Sequence, residues 1–275
     1  MKMSECTHEC STCGSASTCK SQGGIPKELP KKGSVIKNVI AVISGKGGVG
    51  KSLTTALLAV ASNRNGYKTA LFDADITGPS IPKMFGIKEK GTADEEGINP
   101  VITESGLKVM SINLLLEDES APVIWRGPVI SSVIKQFWTD VKWGEIDNMF
   151  IDCPPGTGDV PLTVFQSLPI KGIVVVTSPQ DLVSVIVEKA VNMAKMMNIP
   201  ILGIVQNMSY YICDGCGKKH YIYGESNLEK TAKELKIEHS AEIPIMPDAA
   251  KKCDEGKIEE LNVTEINEFF NKIIK

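Results

Sequence analysis

The sequence predicts an α/β fold in which a mostly parallel sheet carries helices on both faces. Short runs of β-branched and other apolar residues alternate along the chain with longer segments of helical periodicity. Continuous apolar strands are typical of sheets buried on both faces, and strand–helix alternation is typical of parallel sheets. The 275 residues are enough for one such domain with a sizeable core.

The elements are predicted in chain order from these patterns. Strands are expected at residues 39–43, 69–73, 98–102, 107–112, 149–152, 172–177 and 201–206, with a last short strand at Ile243. Helices are expected at 53–63, from Gly127-Pro128 to about Thr139, at 182–197, at 225–235 and over most of 258–274.

The first 33 residues differ from the rest, because they contain four cysteines and many small polar residues with neither helical nor strand periodicity. We therefore divide the chain into a Cys-rich N-terminal tail or cluster-binding segment, 1–33, and one α/β domain, 34–275.

Composition excludes some classes of function. The net charge is only −3, which argues against a surface for nucleic acid or anionic membrane. No apolar run reaches the roughly 18 residues of a membrane-spanning helix, and the N-terminus lacks the pattern of a secretory signal. We expect a cytoplasmic protein that binds neither nucleic acid nor membrane.

A glycine-rich loop follows the first predicted strand and precedes the first predicted helix. Gly45, Gly50, Lys51 and Ser52 match the pattern Gly-x-x-x-x-Gly-Lys-Ser. Such a loop turns its backbone N–H groups toward phosphate oxygens, while the lysine reaches the β- and γ-phosphates and the serine binds Mg²⁺. The context favours a P-loop NTPase that binds ATP over a glycine-rich turn without a ligand. The predicted nucleotide-binding residues here are Gly45, Lys46, Gly47, Gly48, Val49, Gly50, Lys51 and Ser52.

Lys46 is a second lysine inside this loop. It could be a solvated surface residue. With it, however, the loop resembles the variant phosphate loop of the MinD/ParA/nitrogenase-iron-protein group. That resemblance implies a lysine that crosses a dimer interface to the partner's nucleotide, and hence a homodimer enclosing two ATP molecules.

Three aspartates end two of the predicted strands. Asp73 and Asp75 follow one strand and Asp152 ends another, and ligands of open α/β sheets bind at the carboxyl ends of strands. Asp152 is predicted to hold Mg²⁺, directly or through water, although a strand-end cap is the alternative. With support from the resemblance, we assign Asp73 to the metal shell and Asp75 to orienting the attacking water. The predicted catalytic residues are therefore Lys46, Lys51 and Asp75.

Asn207 follows the strand predicted at 201–206. In the families that the loop resembles, an asparagine at this place contacts adenine, so Asn207 is a candidate for the base pocket. A plain turn-forming residue is the alternative.

Cys213 and Cys216 have the two-residue spacing that lets two thiolates hold one metal centre. His220 follows, so zinc is one possibility. Two pairs meeting across a dimer axis would supply four thiolates to a bridging 4Fe–4S cluster. A redox-active dithiol is the third possibility, and the spacing alone leaves all three open.

Taken together, these motifs resemble the Mrp/ApbC family of iron–sulfur cluster carrier ATPases over about residues 36–256. The resemblance rests on Lys46 in the loop, on residues 73–80, on residues 152–159, and on residues 207–209 followed by Cys213 and Cys216. It implies a cytoplasmic homodimer that hydrolyses ATP, binds a labile 4Fe–4S cluster between its subunits and passes the cluster to apo-proteins.

The N-terminal cysteines, Cys6, Cys10, Cys13 and Cys19, resemble the extra cluster motif of the cytosolic scaffold branch of the same family. The last three match its Cys-x2-Cys-x5-Cys portion, whereas Cys6 lies closer to Cys10 than that motif implies, and His8 could replace it. A second 4Fe–4S cluster is expected here, with zinc or a metal-free tail as alternatives.

Two other classes of function remain open. One is a positioning ATPase of the MinD or ParA kind, which would need a C-terminal amphipathic helix or a basic face. Residues 263–275 have helical apolar spacing, but Glu265 and Glu268 disfavour anionic lipid and favour a packed terminal helix. The other is an electron-transfer ATPase like the nitrogenase iron protein.

Overall fold

The computed structural model describes residues 27–76, 78, 80–115, 127–179 and 185–274. The strands are β1 Val35–Ser44, β2 Thr69–Asp73, β3 Thr92–Asp94, β4 Gly97–Asn99, β5 Val101–Ile102, β6 Lys108–Ser111, β7 Glu145–Asp152, β8 Gly172–Thr177, β9 Ile201–Gln206, β10 Tyr211–Ile212, β11 Lys219–His220 and β12 Ser240–Glu242. The α-helices are α1 Lys51–Arg64, α2 Ile81–Met84, α3 Gly127–Thr139, α4 Asp159–Ser167, α5 Val185–Met196, α6 Leu228–Leu235, α7 Pro247–Asp254 and α8 Thr264–Ile273.

Eight strands form one sheet in the order β12-β9-β8-β1-β7-β2-β6-β5. Every neighbouring pair is parallel except β5 with β6. The carboxyl ends of β1, β2 and β7 therefore lie side by side at one edge, where loops can bring their side chains together. Two separate hairpins, β3–β4 and β10–β11, lie outside this sheet.

Strand β1 shows why the sheet is covered on both faces. Residues 39–43 are all buried, and alternate side chains enter different cores because successive residues of a strand point to opposite faces. Val39, Ala41 and Ile43 join the core that includes residues of α3, α4 and α5, whereas Ile40 and Val42 join the core that includes residues of α1 and α8. The predicted parallel sheet with helices on both faces is confirmed.

Several boundaries differ from the predictions. The strand expected at 39–43 extends over Val35–Ser44, and Ile243 follows β12 instead of lying in it. Helix α4 was not predicted, because the prolines and glycines just before it indicate a loop. Helix α7 was missed because half of its residues are charged and only Ala249 is buried.

The terminal helix α8 packs against the domain. Ile266, Phe269, Phe270 and Ile273 are buried on it, and they join the core shared with α1. The packed terminal helix is confirmed, so this apolar face is already covered by the protein. Within the described ranges, no helix is both long and apolar enough to cross a membrane.

The last residues of the predicted tail contact the domain. The N–H of Glu28 donates to the Ser167 carbonyl at 2.8 Å, and the Trp138 indole donates to the Glu28 carbonyl at 2.9 Å. The segment just before β1 is thus attached to α3 and α4, while the division at residue 33/34 stays a prediction. Cys6, Cys10, Cys13 and Cys19 lie outside the described residues.

Candidate functional site

The glycine-rich loop spans residues 45–50, between the carboxyl end of β1 and the first residue of α1. Gly48 and Gly50 have φ angles of 81° and 80°, which glycine adopts without the strain that a Cβ would cause. The loop borders a cavity of about 240 Å³. The cavity is lined by Ser44, Lys46, Gly47, Gly48, Gly50, Lys51, Ser52, Leu53, Met84 and Pro155.

Lys51 makes a buried ion pair with Asp152, with 2.7 Å between Nζ and Oδ1. A second carboxylate, that of Asp75, has its Oδ2 at 3.6 Å from Nζ. Burial would lower the pKa of Lys51, but the attraction and hydrogen bond to Asp152 outweigh it, and the pKa is raised. Lys51 is therefore a fixed cation beside two carboxylates.

Two hydroxyls of α1 complete the surroundings of Asp152. Ser52 Oγ donates to Asp152 Oδ2 at 2.5 Å. The Thr55 hydroxyl lies 2.8 Å from Asp152 Oδ1 and 2.9 Å from the Lys51 carbonyl, and it can donate to either. Thr55 was not predicted from the sequence, although its position one helical turn after Lys51 places it on the same face of α1.

Asp73 lies next to Asp152 in the sheet, as its register partner on β2. Its Oδ1 accepts the backbone N–H of Asp75 at 3.1 Å, and its Oδ2 accepts the Ser111 hydroxyl at 3.0 Å. Burial, and then the charge of Asp152, raise its pKa well above the usual range. Asp73 is thus buried behind Asp75 and fixes the start of the segment that follows β2.

The loop after β7 crosses the phosphate loop. The N–H of Gly156 donates to the Ser44 carbonyl at 2.8 Å, and Pro155 lines the cavity. Ser44 in turn donates its hydroxyl to the carbonyl of Lys46 at 3.0 Å. The two loops are therefore linked by hydrogen bonds through Ser44.

Asn207 is buried against the phosphate loop. Its Nδ2 donates to the Val49 carbonyl at 3.0 Å. A Cβ placed on Gly50 would lie only 2.1 Å from the same Nδ2 atom. The structure therefore places Asn207 at the back of the loop, where it fixes the loop's shape, and the adenine contact stays a prediction.

Cys213 and Cys216 lie at the tip of the β10–β11 hairpin. The N–H of Cys213 donates to the Lys218 carbonyl at 3.0 Å, and the N–H of Gly217 donates to the Cys213 carbonyl at 2.8 Å. Backbone N–H groups of Gly215 and Cys216 point at the Cys213 sulfur and lower its pKa. This turn brings the two sulfurs and one ring nitrogen of His220 within 4.8 Å of one another.

The hairpin is exposed at its tip but attached at its base. Cys216 and His220 are exposed and Cys213 is half-buried. At the base, the Tyr210 hydroxyl donates to Glu265 on α8 at 2.7 Å, and the Lys219 ammonium lies 4.0 Å from the centroid of the Tyr210 ring.

The ParA-family model described as the NUBPL iron-transfer P-loop NTPase matches residues 35–275. The chain belongs to this family. The match covers the phosphate loop, the three aspartates and the cysteine hairpin. The resemblance found in the sequence is thereby confirmed.

Curated relatives are similar along most of their length. An iron-sulfur cluster carrier protein of Methanocaldococcus jannaschii is 45% identical over 99% of this chain and 96% of its own. A protein of the same name from Clostridium perfringens is 46% identical over 91% of this chain and 93% of its own.

Solved structures agree with the fold. A nucleotide-binding protein from Archaeoglobus fulgidus, in complex with ADP and with cobalt detected, superposes with a TM-score of 0.77 at 46% identity. That match covers 86% of this chain and 92% of the other. The cell-division ATPase MinD of Pyrococcus furiosus, at 20% identity and a TM-score of 0.61 over 86% of this chain and 98% of its own, shares the fold.

Proposed function

We propose that this protein is an ATP-hydrolysing iron–sulfur cluster carrier that holds a 4Fe–4S cluster between two copies of the chain and passes it to apo-proteins. One observation carries the proposal: the same domain combines the hydrogen-bonded arrangement of Lys51, Ser52 and Asp152 with a cysteine pair at the exposed tip of a separate hairpin. The names of the curated relatives support the same function. The apo-protein clients would be met in the cytoplasm.

The loop residues fit a nucleotide, since glycines open its backbone and the Lys51 cation lies at the start of α1. The fit of ATP is supported by the ADP bound to the Archaeoglobus relative. Lys51 would neutralise charge that develops on the transferred phosphoryl group, and Asp75 would orient the water that attacks the γ-phosphorus. The products are ADP and inorganic phosphate.

The oxygen donors of Ser52 and Asp152 fit Mg²⁺, which prefers hydroxyl, carboxylate and water ligands. Held by Ser52 and Asp152, the ion would supply positive charge that offsets the charge of the phosphates. Both Asp73 oxygens are already hydrogen-bonded inside the protein, so we assign Asp73 to the outer shell, where it holds the segment of Asp75 in place.

Lys46 is assigned to the partner's nucleotide, as the resemblance of the loop implies. It is part of the glycine-rich loop and lines the cavity. A lysine supplied by the partner would make hydrolysis depend on the homodimer, and the same dimer would bring two cysteine pairs together.

Anaerobic reconstitution tests the cluster. We expect Mössbauer spectra of 4Fe–4S clusters, and activation of an apo-enzyme that requires such a cluster. Because Cys6, Cys10, Cys13 and Cys19 are expected to hold a second cluster, the measurement is also made with these four changed to Ser, which should leave one 4Fe–4S cluster for each dimer. Cys213→Ser/Cys216→Ser in that background should bind no cluster. A bridging cluster that survives in this variant contradicts the proposal.

Mixing two inactive variants tests the role of Lys46. In a mixed dimer of Lys46→Ala and Asp75→Ala, a partner-supplied lysine leaves one of the two sites intact. Random mixing should then restore about a quarter of the wild-type ATPase rate. If Lys46 serves the nucleotide of its own chain, every site keeps a defect and the mixture stays inactive.

A further inference from the structure

His220 lies on the same hairpin as the cysteine pair, but it is not a ligand of the bridging cluster proposed above. In the hairpin register, Tyr211 lies opposite His220, and Ile212 lies opposite Lys219. Cys213 is two residues after Tyr211, and side chains two apart on a strand share a face. His220 and Cys213 are therefore diagonal neighbours across the hairpin, within reach of each other's side chains.

The turn then adds the second sulfur. The bond from the Gly217 N–H to the Cys213 carbonyl folds residues 213–217 back on themselves, and Gly217 takes the required φ of 67°. The three possible ligand atoms of Cys213, Cys216 and His220 all lie within 4.8 Å of one another in a single chain. The separation in a tetrahedral zinc site, from metal–ligand distances of 2.0–2.3 Å, is about 3.5 Å. Small side-chain rotations of these accessible residues close that difference.

We infer that one protomer alone binds a single divalent ion of the zinc class through Cys213, Cys216 and His220, with the fourth coordination position open to solvent. Two sulfurs and one imidazole nitrogen are a donor set that suits Zn²⁺. Since Cys216 and His220 are exposed, the ion would exchange with solvent and would not be sealed in the fold.

This site has a consequence for cluster binding, which rests on the function proposed above. A mononuclear ion and a bridging cluster need the same two thiolates, so they exclude each other. In the monomer, His220 would be the third ligand of the ion. When two hairpins meet, the ion would dissociate and leave both thiolates to the cluster. Occupancy by zinc would therefore lower the capacity of the protein to take up a cluster.

Cobalt(II) is the probe for the first test, because its visible absorption reports tetrahedral geometry and its near-ultraviolet absorption reports thiolate ligands. The full chain is used with Cys6, Cys10, Cys13 and Cys19 changed to Ser, without metal and under anaerobic conditions. We expect one Co²⁺ for each chain, a tetrahedral spectrum, and a monomer by light scattering in the absence of nucleotide. X-ray absorption of the zinc form should give two sulfur neighbours and an imidazole.

Three variants in that background test whether His220 is a metal ligand. His220→Ala should weaken Co²⁺ binding at least about 10–100-fold, the range measured even for residues that only support a ligand. His220→Cys should restore affinity and add thiolate absorption. Lys218→Ala, an exposed change in the same turn, should leave both affinity and spectrum unchanged.

The outcomes distinguish this inference from the proposed function. Unchanged Co²⁺ binding in His220→Ala, or half an ion for each chain with four sulfur neighbours in a dimer, overturns the mononuclear site. In the same background, reconstitution of the His220→Ala variant should give a normal cluster. One equivalent of Zn²⁺ added first should prevent cluster formation in the parent that keeps His220, but much less in His220→Ala. If no cluster forms in either protein while Co²⁺ binding behaves as expected, the carrier function fails and the mononuclear site stands.

Discussion

The nucleotide loop and the cysteine hairpin are held in opposite ways. Asp152 is completely buried and lies within hydrogen-bonding distance of Lys51, Ser52 and Thr55. The hairpin tip is exposed and its strands are two residues each. A phosphate site gains from rigid, preorganised donors, whereas a site that must release its cargo gains from open ligands. One domain thus combines a fixed site with an adaptable one.

Cysteine alkylation should show the largest difference between the buried nucleotide site and the exposed hairpin. Of the four cysteines in the described ranges, Cys213 and Cys216 should react first with iodoacetamide in the metal-free chain. Cys253 should react more slowly, because burial raises the pKa of its thiol, whereas backbone N–H groups lower the pKa of Cys213. Cys153 is fully buried and should react at least about 10³-fold more slowly, because its labelling requires an opening close in cost to the free energy of unfolding. Peptide mass spectrometry over a time course measures each rate. Equal rates for Cys153 and Cys216 would show that the β7 end is not fixed.

Lys51→Ala should produce the next largest change. It should slow ATP hydrolysis about 10²–10³-fold and lower the free energy of unfolding by about 3–5 kcal/mol, because Asp152 loses its buried partner. Steady-state kinetics and urea unfolding provide the two measurements. The control is Lys37→Ala, which removes an exposed pair with Asp147 and should cost less than about 1 kcal/mol. Similar losses in both variants would argue against a special role of the buried pair.

Gly50→Ala and Gly48→Ala sharpen the comparison within the loop. Both residues have φ near 80°, so each substitution should cost about 1–2 kcal/mol in backbone strain. Only Gly50 has Asn207 where a Cβ would go, and this overpacking should add about 1 kcal/mol or more.

Thermal unfolding and nucleotide affinity measure this difference. Adding Asn207→Ala to Gly50→Ala should relieve the clash and recover part of the loss. An equal cost at both glycines would mean that the loop is free to move away from Asn207.

The smallest effect concerns the attachment of the hairpin. Tyr210→Phe removes a buried hydroxyl that donates to Glu265 on α8, and it should cost about 1.5 kcal/mol. Tyr211→Phe removes an exposed hydroxyl bonded to Asp214 and should cost less than about 0.5 kcal/mol. Urea unfolding measures the loss of stability in each variant. A larger loss in Tyr211→Phe would mean that the bond within the hairpin stabilises this segment more than the bond to α8.

The sequence predicted the parts of the molecule that have a local signal. Strand β1, the glycine-rich loop and helix α1 are adjacent in the chain, and their apolar runs and glycines indicate them directly. The aspartates at the ends of β2 and β7 were predicted to meet because carboxyl ends of parallel strands share an edge.

Contacts between distant segments had no such signal. The bond from Asn207 to the Val49 carbonyl depends on the packing of β9, and Thr55 was identified only from its distance to Asp152. The position of His220 depends on the hairpin register, since its spacing from Cys216 alone did not distinguish a ligand from a neighbour. Mostly exposed helices such as α7 are also hard to predict, because their composition resembles that of a loop.

The contact between Asn207 and the phosphate loop has a consequence for biosynthesis. The loop is complete in sequence once Ser52 has left the ribosome, yet the donor that fixes Val49 belongs to Asn207, 158 residues after Val49. A nascent chain that ends before β9 therefore contains every residue of the loop without the contact that holds its shape. Nucleotide binding should accordingly be acquired late in synthesis, when the domain is nearly whole, and shorter chains should not sequester ATP.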